Sequence, residues 1–513
     1  MVILIWLAFA VRLIAALASQ GYAIHNDHFL VIETAQSWIN KTDVNQWLPS
    51  SQDIPNPAGY SFFYPGVHYI LFSFFEYIHI YDPKSKMLAV RLLHALFSLL
   101  VVFYGFKLAE RTTSKHNARK IGLVLALLWF FPFVSVHNMV EAVTMPLLLI
   151  AIYQLHTVSD GVIAFRDTLV AGFTMAIAFA ISYNTVFFAL GTAITLLLVK
   201  PWRYVFYFVL GLLIGILIFE GIIDTLFWGK PLVQFLQYAK NVFILKNYFN
   251  ESQLWYIYLT LLLFAFSVPY GIFIFFGYIK SYRKHLLLFL PVLIYIMMHY
   301  LIPEKQEQYI LPIFPIYVVA GFTGWNMYYE SKVFHNFFKL FVKYSFLFFL
   351  VLNVILLVIT TLTYSKRSRV ESMVYLSGQK NEIDAILIED TNKPSVARFP
   401  VFYAGKDLIV YTLAKRDFVD NSVIYSYTIN NNYIKDLNSI EFFKTDNTNG
   451  AIPDYVLFVG DNNLEKRVAS VQRIWPYLSL DAVIENSFGD KFMQFLNPIN
   501  YNMPVYIYKV SMY

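Results

Sequence analysis

From its first residue to about Ser365 the chain runs through one apolar stretch after another, each about as long as a bilayer core is thick; KYSFLFFLVLNVILLVITTLTY at 343–364 is one of them. At ~1.5 Å of rise per residue, a helix needs about 20 such residues to cross. The runs lie near 1–20, 86–110, 120–137, 142–158, 167–183, 185–200, 203–222, 254–279, 286–302, 308–328 and 343–364. They predict a mainly α, polytopic protein of about eleven transmembrane helices. Of the 513 residues, 58% are apolar and 14% charged, more apolar surface than a soluble fold of this length hides. The first run, MVILIWLAFAVRLIAALAS, has no basic stretch ahead of it and reads as a retained span, with a cleaved signal peptide as the alternative.

Charge supplies the orientation. RTTSKHNARK (111–120), KPWR (200–203), KSYRKH (280–285) and the stretch from Lys332 to Lys343 carry the densest Lys and Arg. With this count of spans all four fall on one face, which the positive-inside rule makes cytoplasmic. The net charge of +6 lies in these short clusters, so no nucleic-acid partner is expected. The opposite face receives loops at about 21–85 and 223–253 and everything after residue 365. SFFYPGVHYILFSFFEYIHIY (61–81) is apolar enough to pass for a span, but counting it reverses every later loop. It is expected as an interfacial helix in the first far-side loop, rich in Tyr and Phe.

After Ser365 polar residues become common, and strand-like runs appear: AILIED, DLIVYTL, SVIYSY, YVLFVG and VYIYKV, with a helical pattern at 462–478. These predict a transmembrane domain over 1–364 and a soluble, extracytoplasmic α/β domain over 365–513. The chain has no cysteine, which excludes disulfides, thiol nucleophiles and Cys-based metal sites.

Acids and imidazoles gather where the chain first leaves the membrane, in IHNDHFLVIETAQSW (24–38). His25, Asp27 and His28 stand at or just before a helix start. Three readings fit. Asn26 or Asp27 caps the helix; Asp27 is a functional acid, favoured there by the helix dipole; or His25, Asp27, His28 and Glu33 hold a metal. Arg91 and His94, one turn apart near the far-side end of the second span, allow a functional cation or simple snorkelling to the headgroups. Lys305, in EKQEQYILP (304–312), is either part of an ordinary polar turn or a cation for a lipid phosphate on the face opposite the basic loops.

In order along the chain these stretches resemble the GT-C membrane glycosyltransferases, most closely family 22, the lipid-phosphate-mannose-dependent α-mannosyltransferases. That family's His-Pro-Asp-Glu motif after the first span is matched by His25, Asn26, Asp27 and His28. Its Tyr-Pro pair is matched by Tyr64 and Pro65, and its Arg-Leu-x-His-Ala start by RLLHA at 91–95. The Asp-x-x-Phe-Tyr-Gly-Lys loop is similar to DTLFWGK at 224–230, ending in Lys230, and His-Lys-Glu-x-Arg-Phe-x-Leu-Pro is echoed by EKQEQYILP with Lys305 and Tyr309. The departures are Asn26 for proline, His28 for glutamate, Glu304 for histidine, Gln306 for glutamate and Gln308 for arginine. The likeness spans about 1–330 and leaves the C-terminal domain uncovered.

What the resemblance implies is transfer of a sugar, mannose first, from a polyprenyl-phosphate donor to an acceptor hydroxyl on a glycan, glycolipid or other molecule. Asp27 is the implied general base, and the anomeric configuration inverts. His25, His28, Tyr64, Arg91, His94, Lys230, Lys305 and Tyr309 are the implied donor and acceptor contacts, with Arg91 and Lys305 stabilising the departing phosphate. His25 or His28 is expected to orient the acceptor. Membrane lipids are partners, and neither a cofactor nor a metal is expected, since a lipid phosphate already leaves well. The location implied is a bacterial inner membrane, or else an organelle membrane. Two other classes compete: a carrier of lipid-linked saccharides, which calls for inverted repeats and midplane charges that are not visible, and a catalytically silent relative with a binding role.

Overall fold

A computed structural model of the chain describes all residues except 53–54, 158–161, 244–255, 303–304, 380–382, 393–397, 420–421, 430–431, 438–451, 473–474, 497–501 and 512–513. Glu304 and the far part of the 223–253 loop lie outside the described residues. The chain forms two compact units. One comprises Met1–Ser19, Asn45–Ile70 and Leu88–Leu362, the other Gln20–Val44, Leu71–Met87 and Thr363–Tyr513. The break after Leu362 lies beside the boundary expected at 364, but two pieces of the first loop belong with the C-terminal segment. Polar ties explain why. Glu33 accepts from the Phe402 N–H, Asn40 Nδ2 donates to Asp407 (2.9 Å), and Lys84 Nζ pairs with Glu371 (2.9 Å).

The first unit is helical. Among the described residues, Pro83–Thr112, Trp202–Trp228, Glu307–Glu330 and Asn336–Leu362 are each long and apolar enough to cross a bilayer. Tyr270–Ser281 and Leu286–Leu301 qualify only jointly, as a pair bent by 113°, while Val2–Ala18, Val140–His156 and Tyr183–Val199 are shorter apolar helices. Two expected spans are each broken in two. The run at 120–137 is Lys115–Leu127 followed by Phe131–Val136, and that at 254–279 is Ile257–Phe264 followed by Tyr270–Ser281. Pro132 and Pro269 stand at the start of the second piece, where a helix has no use for the missing N–H. The 61–81 run contains a helix of 15 residues, Phe63–Tyr77, which at ~1.5 Å per residue is about 22 Å long and short of the hydrocarbon thickness.

The core is the helix Phe314–Glu330, buried on every side from Phe314 through Trp325. It meets Tyr270–Ser281 at glycines: a Cβ on Gly324 would stand 1.9 Å from the Gly277 carbonyl oxygen, and one on Gly277 would stand 2.1 Å from that of Gly321. Small residues let two helices close in lipid, where no hydrophobic force pushes them together. Arg12 is buried in the first helix. It donates to Ser98 Oγ (2.8 Å) and to the carbonyls of Ala126 (3.1 Å) and Leu125 (3.3 Å), at the C-terminal end of Lys115–Leu127. That helix end carries partial negative charge, a partner for a cation kept from water.

The second unit is built on a seven-stranded sheet: β1 Ala385–Asp390, β2 Ile409–Val419, β3 Ser422–Ile429, β4 Asn432–Leu437, β5 Tyr455–Val459, β6 Tyr477–Ile484 and β7 Val505–Ser511, in the order β4-β3-β2-β1-β5-β7-β6. β1 pairs parallel with β2 and β5, and the remaining pairs are antiparallel. AILI of β1 and YVLFV of β5 are continuous apolar runs because these central strands are buried along their whole length. The helix expected over 462–478 stops at Gln472, and Tyr477 opens β6. β4, β6 and the helices Arg367–Ser377 and Phe488–Leu496 were not apparent in the sequence.

Candidate active site

The opening stretch is helical from His25 to Ile39, with a π turn over His28–Glu33 between two α segments. Its N-cap is Ile24, which makes no side-chain cap. Neither Asn26 nor Asp27 therefore plays the capping role. Asp27 is the third helical residue, in the turn where the dipole suits a carboxylate, and is 8% exposed.

The π turn decides what surrounds it. Residues five apart lie on different sides of an α-helix but nearly in line in a π turn, so Glu33 reaches back to His28 (Oε1 to Nε2, 3.4 Å). Both Glu33 oxygens also accept from the Phe402 N–H (2.9 and 3.0 Å). The His28 ring is stacked between Tyr22 (4.8 Å between centroids) and Tyr403 (5.8 Å) and is 1% exposed. It is a packed support, closed to an acceptor.

Three cations from beyond the last span enter this neighbourhood. Lys366, with left-handed backbone (φ 53°), donates Nζ to the Ala23 carbonyl (2.5 Å) and lies 4.4 Å above the Tyr22 ring. Burial lowers its pKa to about 7, reinforced by Arg369 and opposed by Asp490 and Asp27. The Arg398 guanidinium lies 5.9 Å over Phe29, whose ring is 4.4 Å from His25. His25 is pushed down to about 3, by burial first and then by Arg369, Lys366 and Arg398, so its imidazole is neutral at physiological pH. Two of the neighbouring carboxylates are committed to backbone N–H groups, Glu33 to that of Phe402 and Asp490 to those of Lys366 and Arg367. The arrangement thus offers a carboxylate and a neutral imidazole beside excess positive charge, which suits proton acceptance next to an anion.

Sequence reasoning missed Lys366, Arg369 and Arg398. A signal existed: KRSR at 366–369 follows the last span on the face predicted to be poor in cations, the same ground on which Lys305 was singled out.

The other expected contacts belong to the first unit. Tyr64 and His94 meet: the Tyr64 hydroxyl is 2.9 Å from His94 Nε2 and donates to Asn138 Oδ1 (3.0 Å), with His68 packed edge-on at 4.6 Å. Arg91 is buried and donates Nε to the Ala16 carbonyl (2.8 Å), at the C-terminal end of the first helix. Lys230 is exposed in the turn after Trp228. The Asp224 of its motif accepts from the Gln234 N–H (2.9 Å), and Gln234 Oε1 accepts from the Gly59 N–H (2.7 Å). Lys305 Nζ reaches the Ile302 carbonyl (3.3 Å), and the Tyr309 carbonyl accepts from the Tyr295 hydroxyl (2.8 Å). A second buried acid that the motifs did not flag is Glu220, in another π turn, which accepts from Ser61 Oγ (2.8 Å) and from the Tyr183 hydroxyl. Among the described residues no group of three or more His, Cys, Asp or Glu is placed to hold a metal ion, so His25, Asp27, His28 and Glu33 do not assemble as a ligand set.

Residues 3–389 match the family model of the Alg9-like mannosyltransferases. Among solved structures, ArnT from Cupriavidus metallidurans bound to undecaprenyl phosphate superposes with a TM-score of 0.61 at 13% identity, over 100% of this chain and 98% of that one. The same protein in its apo state gives 0.58 at 14% identity, over 99% and 97%. A search of curated proteins found no significant match. The likeness is one of fold: a GT-C membrane domain followed by a small sheet domain.

Proposed function

The chain belongs to the Alg9-like mannosyltransferase family, and on that premise we propose that it moves a mannosyl group from a polyprenyl phosphate to an acceptor hydroxyl at the extracytoplasmic face, with Asp27 as general base. Membership makes it a membrane glycosyltransferase and sets aside the carrier reading. The acceptor oxygen attacks the anomeric carbon from the face opposite the phosphate and passes its proton to Asp27. The bond from carbon to phosphate oxygen breaks, its electron pair stays on the phosphate, and the configuration inverts. A well-placed base contributes roughly 10²–10⁴-fold.

Lys366, Arg369 and Arg398 hold the phosphate as its charge grows, the part first given to Arg91 and Lys305. The neutral imidazole of His25, and not the enclosed His28, orients the acceptor. No metal enters the scheme. Support for the lipid donor comes from the undecaprenyl phosphate bound to ArnT. The single observation that carries the reading is the buried Asp27 carboxylate with Lys366 close enough for their charges to interact.

The test is transfer from a panel of polyprenyl-phosphate sugars in membranes carrying wild type, Asp27→Asn or Asp27→Glu. Transfer that is strongest with mannose and is lost in Asp27→Asn, with the protein still folded, is the expected result. An active Asp27→Asn enzyme removes the base. A wild type that leaves every donor untouched removes the reaction.

A further inference from the structure

The helix Phe488–Leu496 in the second unit presents an unusual surface. Phe488, Phe492 and Phe495 recur at the spacing that puts residues on one face of a helix. Phe488 is 73% and Phe495 82% exposed, and the Phe488 and Phe492 rings stack at 6.5 Å. Met493 beside them is also exposed, as is Lys491, whose Nζ lies 3.5 Å from Glu485. Phe492, the middle phenylalanine, is half-buried, and a soluble domain does not leave such an aromatic stripe facing water without a use for it.

The opposite face of the helix tells where it stands. Ser487 and Asp490 form a capping box: Ser487 Oγ accepts from the Asp490 N–H (3.0 Å), and Asp490 Oδ2 from the Ser487 N–H (3.3 Å). The same Asp490 carboxylate accepts from the N–H groups of Lys366 (2.9 Å) and Arg367 (3.1 Å). Gly489 packs so close to Thr363 that a Cβ there would stand 2.3 Å from Cγ2. Thr363 is the residue after Leu362, the last of the candidate span Asn336–Leu362. Residues 363–367 extend at most ~3.3–3.6 Å each from that end, and the headgroup layer beyond the hydrocarbon is about 5–8 Å deep on each side. The start of the helix is therefore tethered within a few residues of the bilayer's edge.

We propose that Phe488–Leu496 is a membrane-docking helix, its Phe488, Phe492 and Phe495 inserted at the headgroup–acyl boundary of the bilayer that the last span crosses. The occupant is lipid because the helix begins where the chain leaves lipid, and because an aromatic stripe flanked by a lysine is the chemistry of an interfacial helix. The proposal does not depend on the sugar transferred or on Asp27.

The chain has no native cysteine, so Phe495→Cys introduces a single thiol. The full-length protein carrying a nitroxide there, in phospholipid nanodiscs, is compared by collision with oxygen and with a water-soluble nickel chelate. Labels at Ile355→Cys, exposed on the last span, and Lys466→Cys, exposed on the sheet domain, give the lipid and water references. Residue 495 is expected to lose nickel collisions relative to 466 and to keep oxygen collisions near those of 355. Nickel access equal to that at 466 overturns the proposal. Shielding from both reagents overturns it too, by pointing to a protein partner or a second copy. A label at Phe488→Cys, on the same face of the helix, repeats the reading should the first substitution disturb folding.

Discussion

Asp490 offers the sharpest test of how the second unit is held. The carboxylate is 3% exposed and accepts four hydrogen bonds: Oδ1 from the Lys366 N–H (2.9 Å) and Asn502 Nδ2 (3.0 Å), Oδ2 from the Arg367 N–H (3.1 Å) and the Ser487 N–H (3.3 Å). The Arg367–Ser377 helix has Lys366 as its N-cap, with no side-chain cap of its own, so Asp490 takes that part from 124 residues away. Hydrogen bonds to a charged group contribute about 1.5–3 kcal/mol each, and they are not additive here because they share one carboxylate. Asp490→Ala leaves buried backbone donors without an acceptor, and about 3–5 kcal/mol is the expected loss. Asp490→Asn keeps one acceptor oxygen without the charge, and about 2 kcal/mol is expected. Hydrogen exchange reads the affected N–H groups directly. At about 1.4 kcal/mol per tenfold, the amides of Lys366 and Arg367 should exchange roughly 10²–10⁴-fold faster in Asp490→Ala and about 30-fold faster in Asp490→Asn. The Phe314–Trp325 amides of the first unit serve as the unchanged reference. Wild-type protection of Lys366 and Arg367 in the alanine variant refutes the argument.

Three further outcomes are expected. Lys366 loses its proton as pH rises through about 7, so transfer should decline on that alkaline limb in wild type and stay level in Lys366→Arg; a flat wild-type profile to high pH removes Lys366 from the phosphate site. Stability moves the other way, because between about 7 and the ordinary 10.5 the unfolded chain holds the extra proton and stability rises with pH. Glu33→Ala strands the Phe402 N–H and should lower stability by about 1–3 kcal/mol, with Glu33→Gln milder; equal thermal denaturation of both variants and wild type denies the Glu33–Phe402 tie. His25→Ala should raise the KM for acceptor with little change in Tm, whereas His28→Ala, losing its two stacking contacts with Tyr22 and Tyr403 of about 0.5–1.5 kcal/mol each, should lower Tm; the reverse pattern exchanges their roles.

How far the sequence carried depended on the range over which each signal acts. A span or a central strand announces itself within one window, so AILIED is both the run read from the sequence and β1 itself. The breaks at Pro132 and Pro269 were just as local and went unread because hydropathy continues across them. Asp27 was legible because an acid beside a membrane exit needs a reason. Its cationic neighbours were not, because Lys366, Arg369 and Arg398 lie more than three hundred residues along the chain, and no periodicity links residues so far apart. The π turn escaped for another reason: one extra residue per turn leaves no compositional mark, yet it brings His28 and Glu33 together.

The second unit is threaded from both ends of the chain, Gln20–Val44 and Leu71–Met87 with Thr363–Tyr513, and that sets an order of events during synthesis. Asp27 leaves the ribosome roughly 340 residues before Lys366, which at about 5–20 residues per second is a wait of roughly 20–70 s. Throughout that time the early segments are already made, and the strands they fold with do not yet exist. A nascent chain halted at residue 364 therefore carries Asp27 without Lys366, Arg369 and Arg398. On the proposed reading, such a shortened product is expected to leave lipid donor untouched.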